Sequence, residues 1–148
     1  MSDEGTPLLH LELVAPAGRI FEGDVEQIVL PATTGEMGIL PRHAPLVAQL
    51  SIGRMRVQKM GGEWLDFAVA EGFAKVQSNK VILLADAAEE ASQIDVARAQ
   101  EAVDRAAGRL EMHRLGTAPE GDDIDPYREQ LALRRAQNRL KVAGRAGE

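Results

Sequence analysis

The sequence contains no cysteine and no long apolar run, and each absence excludes a class of protein. Without thiols the chain cannot form a disulfide, a cysteine-ligated zinc site, an iron–sulfur cluster or a cysteine nucleophile. No apolar stretch approaches the roughly 18 residues that a transmembrane helix needs, and we find no charged-then-apolar leader of the kind that directs secretion. We therefore expect a soluble protein, with the cytoplasm as its default location.

Basic residues are outnumbered by acidic ones, and the signatures of common enzyme sites are missing. The 17 bases and 23 acids give a net charge of −6, whereas a general nucleic-acid binder usually carries a basic excess. The sequence has no G-x-x-x-x-G-K-[ST] motif for ATP hydrolysis and no serine in a nucleophile elbow. Its three histidines are too far apart for metal-ligand spacing. We expect a non-catalytic protein that binds neither metal nor nucleic acid.

Aromatic residues are few, and their distribution divides the chain in two. Four of the five aromatic residues precede residue 91, and only Tyr127 follows it. Residues 1–90 carry the whole net charge of −6, whereas residues 91–148 contain ten bases and ten acids. A chain of 148 residues fits one domain with a small appendage. The composition therefore predicts two structural parts.

The first part has the pattern of an antiparallel β-sandwich or barrel. Short alternating or apolar runs recur, broken by turn signals at intervals of about 8–12 residues. Gly61-Gly62 and Ser78-Asn79 predict tight turns, and Pro31 is expected to stop the strand before it. Residues 33–46, which hold two prolines and His43, read as a shaped loop. The predicted strands cover residues 9–13, 25–30, 55–60, 64–70, 74–77 and 81–84.

The second part has the pattern of an antiparallel two-helix hairpin. Ser92 and Asp95 have capping-box spacing, which predicts a helix from there to about Arg114. Asp125-Pro126 predicts the start of a second helix, which continues to about Ala143. The facing stripes are rich in alanine and bury little area, so we expect the hairpin to lean on another element or to move. The stripe residues are Val96, Ala99, Ala102, Val103, Ala106, Ala107 and Leu110, then Ala132, Leu133, Ala136, Leu140 and Ala143.

Each helix carries a row of arginines. Arg98, Arg105 and Arg109 fall within about 40° of one another on the helical wheel. On the second helix Arg128, Arg135 and Arg139 do the same. Like charges on one helix face destabilise it, and the planar guanidinium suits phosphate oxygens. The rows are therefore candidates for binding an anion.

Residues 35–46, GEMGILPRHAPL, resemble the GELGILPGHAPL signature of the epsilon subunit of F-type ATP synthases, called delta in mitochondria. Further matches lie at residues 14–16, 67–69, 81–88 and 94–99, and the resemblance extends over residues 9–143. The chain departs from the family pattern at Arg42 and Glu71, where glycine is common, and in a longer loop near Gly116.

The resemblance implies a ten-stranded antiparallel β-sandwich in residues 1–88 and a regulatory helical hairpin in residues 89–148. It implies a non-catalytic rotor subunit in the central stalk of a proton-translocating ATP synthase. Such a subunit is peripheral, at the cytoplasmic face of the bacterial membrane, and binds the gamma subunit and the c-ring. Its extended hairpin reaches the alpha/beta catalytic head and inhibits ATP hydrolysis. Glu36 matches a position near the c-ring, and His43 one facing gamma.

Residues 94–99 also resemble the I/L-D-x-x-R-A motif that binds ATP in some bacterial epsilon subunits. The resemblance implies ATP as a regulatory ligand, with no required cofactor. The residues that it assigns to ATP are Glu89, Ile94, Asp95, Arg98, Ala99, Arg105, Arg135 and Arg139.

Three alternatives stay open at this stage. The arginine rows could be ordinary solvated faces, because Glu101–Arg105 and Asp95–Arg98 have the spacing of local ion pairs. The basic face of the second helix could instead dock on acidic segments of the catalytic head, which does not exclude ATP binding. Finally, the chain could be a free-standing nucleotide-sensing adaptor of a β-sandwich and a helical hairpin, without a rotary partner.

Overall fold

The computed structural model describes residues 7–145, which form seven strands and two long helices. The strands are β1 (Leu9–Ala15), β2 (Gly18–Ala32), β3 (Gly35–Ile39), β4 (Leu46–Leu50), β5 (Gly53–Lys59), β6 (Trp64–Gln77) and β7 (Lys80–Glu90). The helices are α1 (Val96–Leu115) and α2 (Pro126–Arg145), and a 3₁₀ turn, Ala91–Gln93, precedes α1. Neither helix is long and apolar enough within this range to cross a membrane.

Long strands that change partners build the two layers of the sandwich. β2 pairs with β1 through its first half and with β5 and β3 through its second half. β6 pairs with β5 over residues 64–69 and with β4 over residues 72–76. The predicted sandwich followed by a hairpin is therefore confirmed, but the described residues form seven strands instead of ten. The segments 64–70 and 74–77, predicted as two strands, are one continuous strand, β6.

One strand pairing is parallel, which the expected all-antiparallel arrangement did not include. β1 pairs in parallel with β7, from His10 opposite Lys80 to Val14 opposite Leu84. β1 also pairs antiparallel with β2, so both of its edges are hydrogen-bonded. This pairing links strands that are far apart in sequence and closes the sandwich around its core. The alternation of β1 places Leu9, Leu11 and Leu13 inside, where all three are fully buried.

The predicted turns form, but Pro31 does not end its strand. Gly61 and Gly62 have φ of 94° and 96°, and Ser78 and Asn79 have φ of 52° and 63°. β2 continues through Pro31 to Ala32, because the carbonyl of Pro31 still accepts from the Ser51 amide over 2.8 Å. Residues 33–46 are not wholly a loop either. Residues 35–39 form β3, which pairs with the end of β2.

Helix caps agree with the sequence at α2 and differ at α1. The Asp125 carboxylate accepts from the Tyr127 amide over 3.0 Å, and Pro126 is the first helical residue, as predicted. At α1 the N-cap is Asp95, whose carboxylate accepts from the Arg98 amide over 3.0 Å. The expected capping box is wrong, because Ser92 lies in the 3₁₀ turn and donates its hydroxyl to Glu90 over 2.6 Å.

The hairpin does lean on the sandwich, as its thin seam indicates. Ala99, Ala106 and Ala136 are buried between the helices. A small second core then joins α2 to β6 and to the 3₁₀ turn; its buried members are Ala68, Ala91, Ile94 and Val142. Three residues expected on the seam, Val96, Ala107 and Ala132, are exposed instead.

Candidate functional site

A cavity of about 410 Å³ lies where α2 crosses β6 and β7. Its floor is alanine-rich sheet, and its rim carries the polar groups of the helix and of the end of β7. The lining residues are Ala68, Val69, Ala70, Ala87, Ala88, Glu89, Arg135, Asn138 and Arg139. Three of these residues, Glu89, Arg135 and Arg139, were assigned to the nucleotide from the sequence. The fold therefore brings a subset of the expected site together.

Two ion pairs tie α2 to the sandwich beside this cavity. Arg139 donates from Nε to the Glu89 carboxylate over 2.9 Å. Arg135 donates from Nη2 to the Glu71 carboxylate over 2.6 Å. All four side chains are partly exposed, with 29% to 42% of their surface accessible. Such pairs are individually weak, so they can exchange for another anion.

Arg135 keeps one donor unused. Within residues 7–145, its Nε is buried and has no hydrogen-bond partner. An unpaired buried donor loses its hydration without compensation. One turn along the helix, Asn138 donates to the Gly53 carbonyl over 3.0 Å, which fixes α2 against the start of β5. The cavity wall thus presents a guanidinium whose capacity for anions is only partly used.

Glu71 reaches Arg135 from an unusual backbone conformation. Glu71 has φ of 54°, in the left-handed region that disfavours a residue with a side chain. It lies where β6 changes partner from β5 to β4. The next residue, Gly72, must be glycine, because a Cβ there would lie 2.0 Å from the Leu84 carbonyl oxygen. From this position the Glu71 carboxylate contacts Arg135 on α2.

The other residues assigned to ATP have different surroundings. Ile94 and Ala99 are buried, with 8% and 0% of their surface accessible, and serve the hairpin core. Asp95 is occupied as the cap of α1. Arg98 and Arg105 are exposed and do not line the cavity. The proposed local pair Glu101–Arg105 is not formed within residues 7–145, so it does not explain the arginine row.

Arg109 belongs to the α1 row but pairs with two carboxylates of its own chain. Its Nη1 and Nη2 donate to the two Asp122 oxygens over 3.0 and 3.1 Å, and its Nε donates to Glu129 over 3.0 Å. These bonds raise the pKa of Arg109, and the guanidinium lowers the pKa of Asp122. Asp122 therefore fastens the linker between α1 and α2.

The signature loop lies on the sandwich, within and after β3. Glu36 is exposed near the start of β3. The His43 ring donates from Nδ1 to the Ala44 carbonyl over 2.7 Å. Arg42 has φ of 69°, and its amide donates to the Asn79 side chain over 2.6 Å. The loop is thus held by the β6–β7 turn.

Three exposed apolar side chains lie together on the outer face of the β4–β6–β7 sheet. Phe73 and Leu84 are directly opposite each other on β6 and β7, with 56% and 57% of their surface accessible. Val47 on β4 is 68% accessible and lies diagonally from Phe73 on the same face. Large apolar side chains clustered on one sheet face are typical of an interaction surface.

Sequence reasoning missed two residues of this region, Glu71 and Asn138. Asn138 gives no signal in sequence, since an asparagine on a polar helix face is ordinary. Glu71 had been noted only as a departure from a common glycine. The pairing of that residue with Arg135, 64 positions later, depends on the docking of α2.

Comparisons with known proteins cover both parts of the chain. The family described as ATP synthase, Delta/Epsilon chain, beta-sandwich domain matches residues 8–91, and the corresponding long alpha-helix domain matches residues 92–144. The ATP synthase epsilon chain of Halalkalibacterium halodurans is 46% identical over 140 residues, which is 94% of this chain and 99% of that one. The epsilon chain of Desulforamulus reducens is 43% identical over 134 residues, covering 90% and 96%.

The solved structures agree on the fold. A chain in the cryo-EM structure of the Euglena gracilis mitochondrial ATP synthase, with OSCP, F1 and c-ring, superposes with a TM-score of 0.73. The match covers 97% of this chain and 86% of that one at 23% identity. The similarity therefore concerns the order of the sandwich and the hairpin, and not individual side chains.

Proposed function

Since this chain belongs to the delta/epsilon chain family of F-type ATP synthases, we propose that it is the non-catalytic central-stalk subunit that couples the catalytic head to the c-ring. The observation that carries this proposal is the joint match of both family domains over residues 8–144, in their proper order. The subunit would lie at the cytoplasmic face of the bacterial membrane as a peripheral part of the proton-translocating complex. The subunit alone would not catalyse ATP hydrolysis or synthesis.

The sandwich supplies the rotor contacts in this proposal. The exposed apolar residues Val47, Phe73 and Leu84 would contact a protein partner, and gamma is the partner that the family indicates. Glu36 at the exposed start of β3 would meet the polar loops of the c-ring, and His43 would face gamma. A charged loop tip beside a stiff strand can transmit torque because the strand resists bending.

We further propose that ATP binds against the hairpin as a regulatory ligand. The cavity is of the size usual for small-molecule sites. Arg135 and Arg139 provide guanidinium groups for phosphate oxygens, and the buried Arg135 Nε is an unused donor. Arg98 and Arg105, free of acidic partners within the described range, would close on the ligand from α1. Ile94, Asp95 and Ala99 would position that helix.

Regulation would follow from where ATP binds. A ligand that contacts α2 and the sandwich together stabilises the docked hairpin and shifts the population toward it. When ATP is scarce the helices would extend toward the alpha/beta head, where the basic face of α2 would meet acidic segments and inhibit ATP hydrolysis. The ATP-bound docked hairpin and the extended hairpin on the catalytic head are thus two conformations of the same regulatory element.

Calorimetric titration with ATP, with ADP for comparison, tests the nucleotide site. We expect Arg98→Ala and Arg135→Ala each to weaken binding by about tenfold or more, because each removes a charged phosphate contact. Arg134→Ala is the matched control, since Arg134 is exposed on the same turn of α2 and does not line the cavity. Equal affinities in all four proteins would reject the assignment and favour a solvated arginine face.

Reconstitution tests the rotor function. Added to an alpha/beta/gamma complex that lacks it, the chain should bind tightly and lower the rate of ATP hydrolysis. Replacement of Phe73 and Leu84 by serine should weaken that binding while the sandwich stays folded, because both side chains are exposed. An unchanged complex and an unchanged rate would favour the free-standing nucleotide-sensing adaptor.

A further inference from the structure

We propose that Glu71 is an internal competitor for the nucleotide: its carboxylate holds Arg135, and ATP must displace it to reach that guanidinium. This inference rests on the proposed nucleotide site and concerns the regulation of its affinity. It makes Glu71 a positioning residue that contacts no ligand but sets the availability of one phosphate-binding arginine. The same contact is one of those that join α2 to the sandwich.

The geometry of the pair is that of a phosphate contact. The Glu71 carboxylate lies 2.6 Å from Arg135 Nη2, which is a charge-assisted hydrogen bond. The guanidinium is planar, so an anion on Nη2 occupies much of the edge that a phosphate would approach. The remaining Nε is buried without a partner. A phosphate that engages Arg135 through two nitrogens would therefore replace the carboxylate.

Charge strengthens the competition. Arg135 and Arg139 are each matched by one carboxylate, Glu71 and Glu89, so these four groups together are neutral. A triphosphate that entered beside them would meet two like-charged groups. Because the Glu71–Arg135 pair is partly exposed, with 38% and 42% of the side chains accessible, it is weak enough to open. The pair thus lowers affinity without preventing binding.

The backbone supports a dedicated role for this carboxylate. Glu71 has φ of 54°, a conformation that glycine adopts at less steric cost. The side chain nevertheless reaches Arg135 on α2 from the point where β6 changes partner. A residue kept in an unfavourable conformation persists where its surroundings compensate, and the contact with Arg135 supplies that compensation.

Glu71→Gln in the full chain tests the proposal by calorimetry with ATP. The amide keeps the shape of the side chain and removes its charge, so we expect the dissociation constant to fall about threefold or more. Glu71→Gly should show the same gain with a relaxed backbone. Glu63→Gln is the matched control, because Glu63 is exposed near a turn and pairs only with Lys59 in the described range. Circular dichroism confirms the fold of each variant.

A second measurement separates competition from a merely structural contact. Hydrogen exchange of α2 without nucleotide should be faster in Glu71→Gln than in the wild type, and ATP should restore protection in both. In the Arg135→Ala background, Glu71→Gln should no longer change ATP affinity, because the guanidinium for which Glu71 and ATP compete is absent.

The outcomes distinguish this inference from the proposed function. If the wild type binds ATP and Glu71→Gln binds it equally or more weakly, competition is wrong and the nucleotide site stands. If none of the proteins binds ATP at millimolar concentration, the nucleotide site fails and the competition fails with it.

Discussion

Arg139 on α2 donates from Nε to the carboxylate of Glu89, near the end of β7, over 2.9 Å. The two residues are 50 positions apart, and their contact joins the hairpin to the sandwich at the rim of the cavity. About one third of each side chain is accessible to solvent. The docked position of the hairpin is therefore held partly by a charge pair that water and salt can reach.

A double-mutant cycle with Glu89→Gln and Arg139→Gln should reveal this coupling. We expect a coupling free energy of about 0.5 kcal/mol at low salt, smaller at high salt, because the pair is partly exposed. Native-state hydrogen exchange of α2 measures it. The control is the same cycle on Glu111 and Arg114, which both lie on α1 and are more than half exposed. Those substitutions should leave the hydrogen exchange of α2 unchanged. Additive effects of the two substitutions would contradict the prediction.

Replacing Asp66 should destabilise the sandwich. Its side chain is 1% accessible, accepts from Arg56 Nε over 2.8 Å and lies 3.7 Å from Arg54. Arg56 also stacks over Trp64, 4.8 Å from the ring centroid. Asp66→Ala should lower the free energy of unfolding by about 2 kcal/mol or more, since two arginines lose their shared anion. Urea denaturation measures the loss, with Glu63→Ala as the exposed control. A change below about 0.5 kcal/mol would contradict this prediction.

Glycine at position 42 should stabilise the protein. Arg42 has φ of 69°, and its hydrogen bond to Asn79 uses the backbone amide, which glycine retains. Arg42→Gly should therefore raise the free energy of unfolding by about 0.5–1 kcal/mol through relief of left-handed strain. Thermal denaturation tests this. The opposite substitution, Gly72→Ala, should be strongly destabilising, because the new Cβ would overlap the Leu84 carbonyl. A loss of stability in Arg42→Gly would reject the strain argument.

His10 should make stability depend on pH above its ordinary pKa of about 6.5. Its ring bonds Asp24 over 2.9 Å and Glu22 over 3.1 Å, and these carboxylates raise its pKa above the ordinary value of 6.5. Because the folded-state pKa is raised, the charged His10 ring contributes its full stabilisation of the fold below about pH 6.5. This stabilisation is lost as the pH rises through the folded-state pKa. The stability difference between wild type and His10→Gln should therefore shrink as the pH rises from about 6 through the raised folded-state pKa of His10.

Urea denaturation at a series of pH values measures that difference. His43 and His113 are present in both proteins, so they do not contribute to the difference. Asp24→Asn should reduce the pH dependence in part, because the Asp24 bond is the largest cause of the raised pKa. A difference that stays constant with pH would show that the charged imidazole adds nothing.

The structural features that the sequence predicted correctly are those that depend on residues close together along the chain. Asp125 and Pro126 predicted the start of α2, because capping involves amides within three residues. The glycine pair at 61–62 predicted its turn for the same reason. The capping box predicted at Ser92 was wrong, because Ser92 lies in the 3₁₀ turn and its hydroxyl donates to Glu90. Asp95 caps α1 instead.

The sequence by itself determined the two-part division, the strand periodicity, most turns and the presence of two arginine rows, since composition and local spacing specify each of these. Only the tertiary structure decided which arginines act together. Docking of α2 on β6 and β7 set Arg135 and Arg139 against Glu71 and Glu89, while Arg109 turned to Asp122 and Glu129. Charge pairing depends on distances of a few ångströms between elements remote in sequence, and those distances come from apolar packing that no local pattern contains.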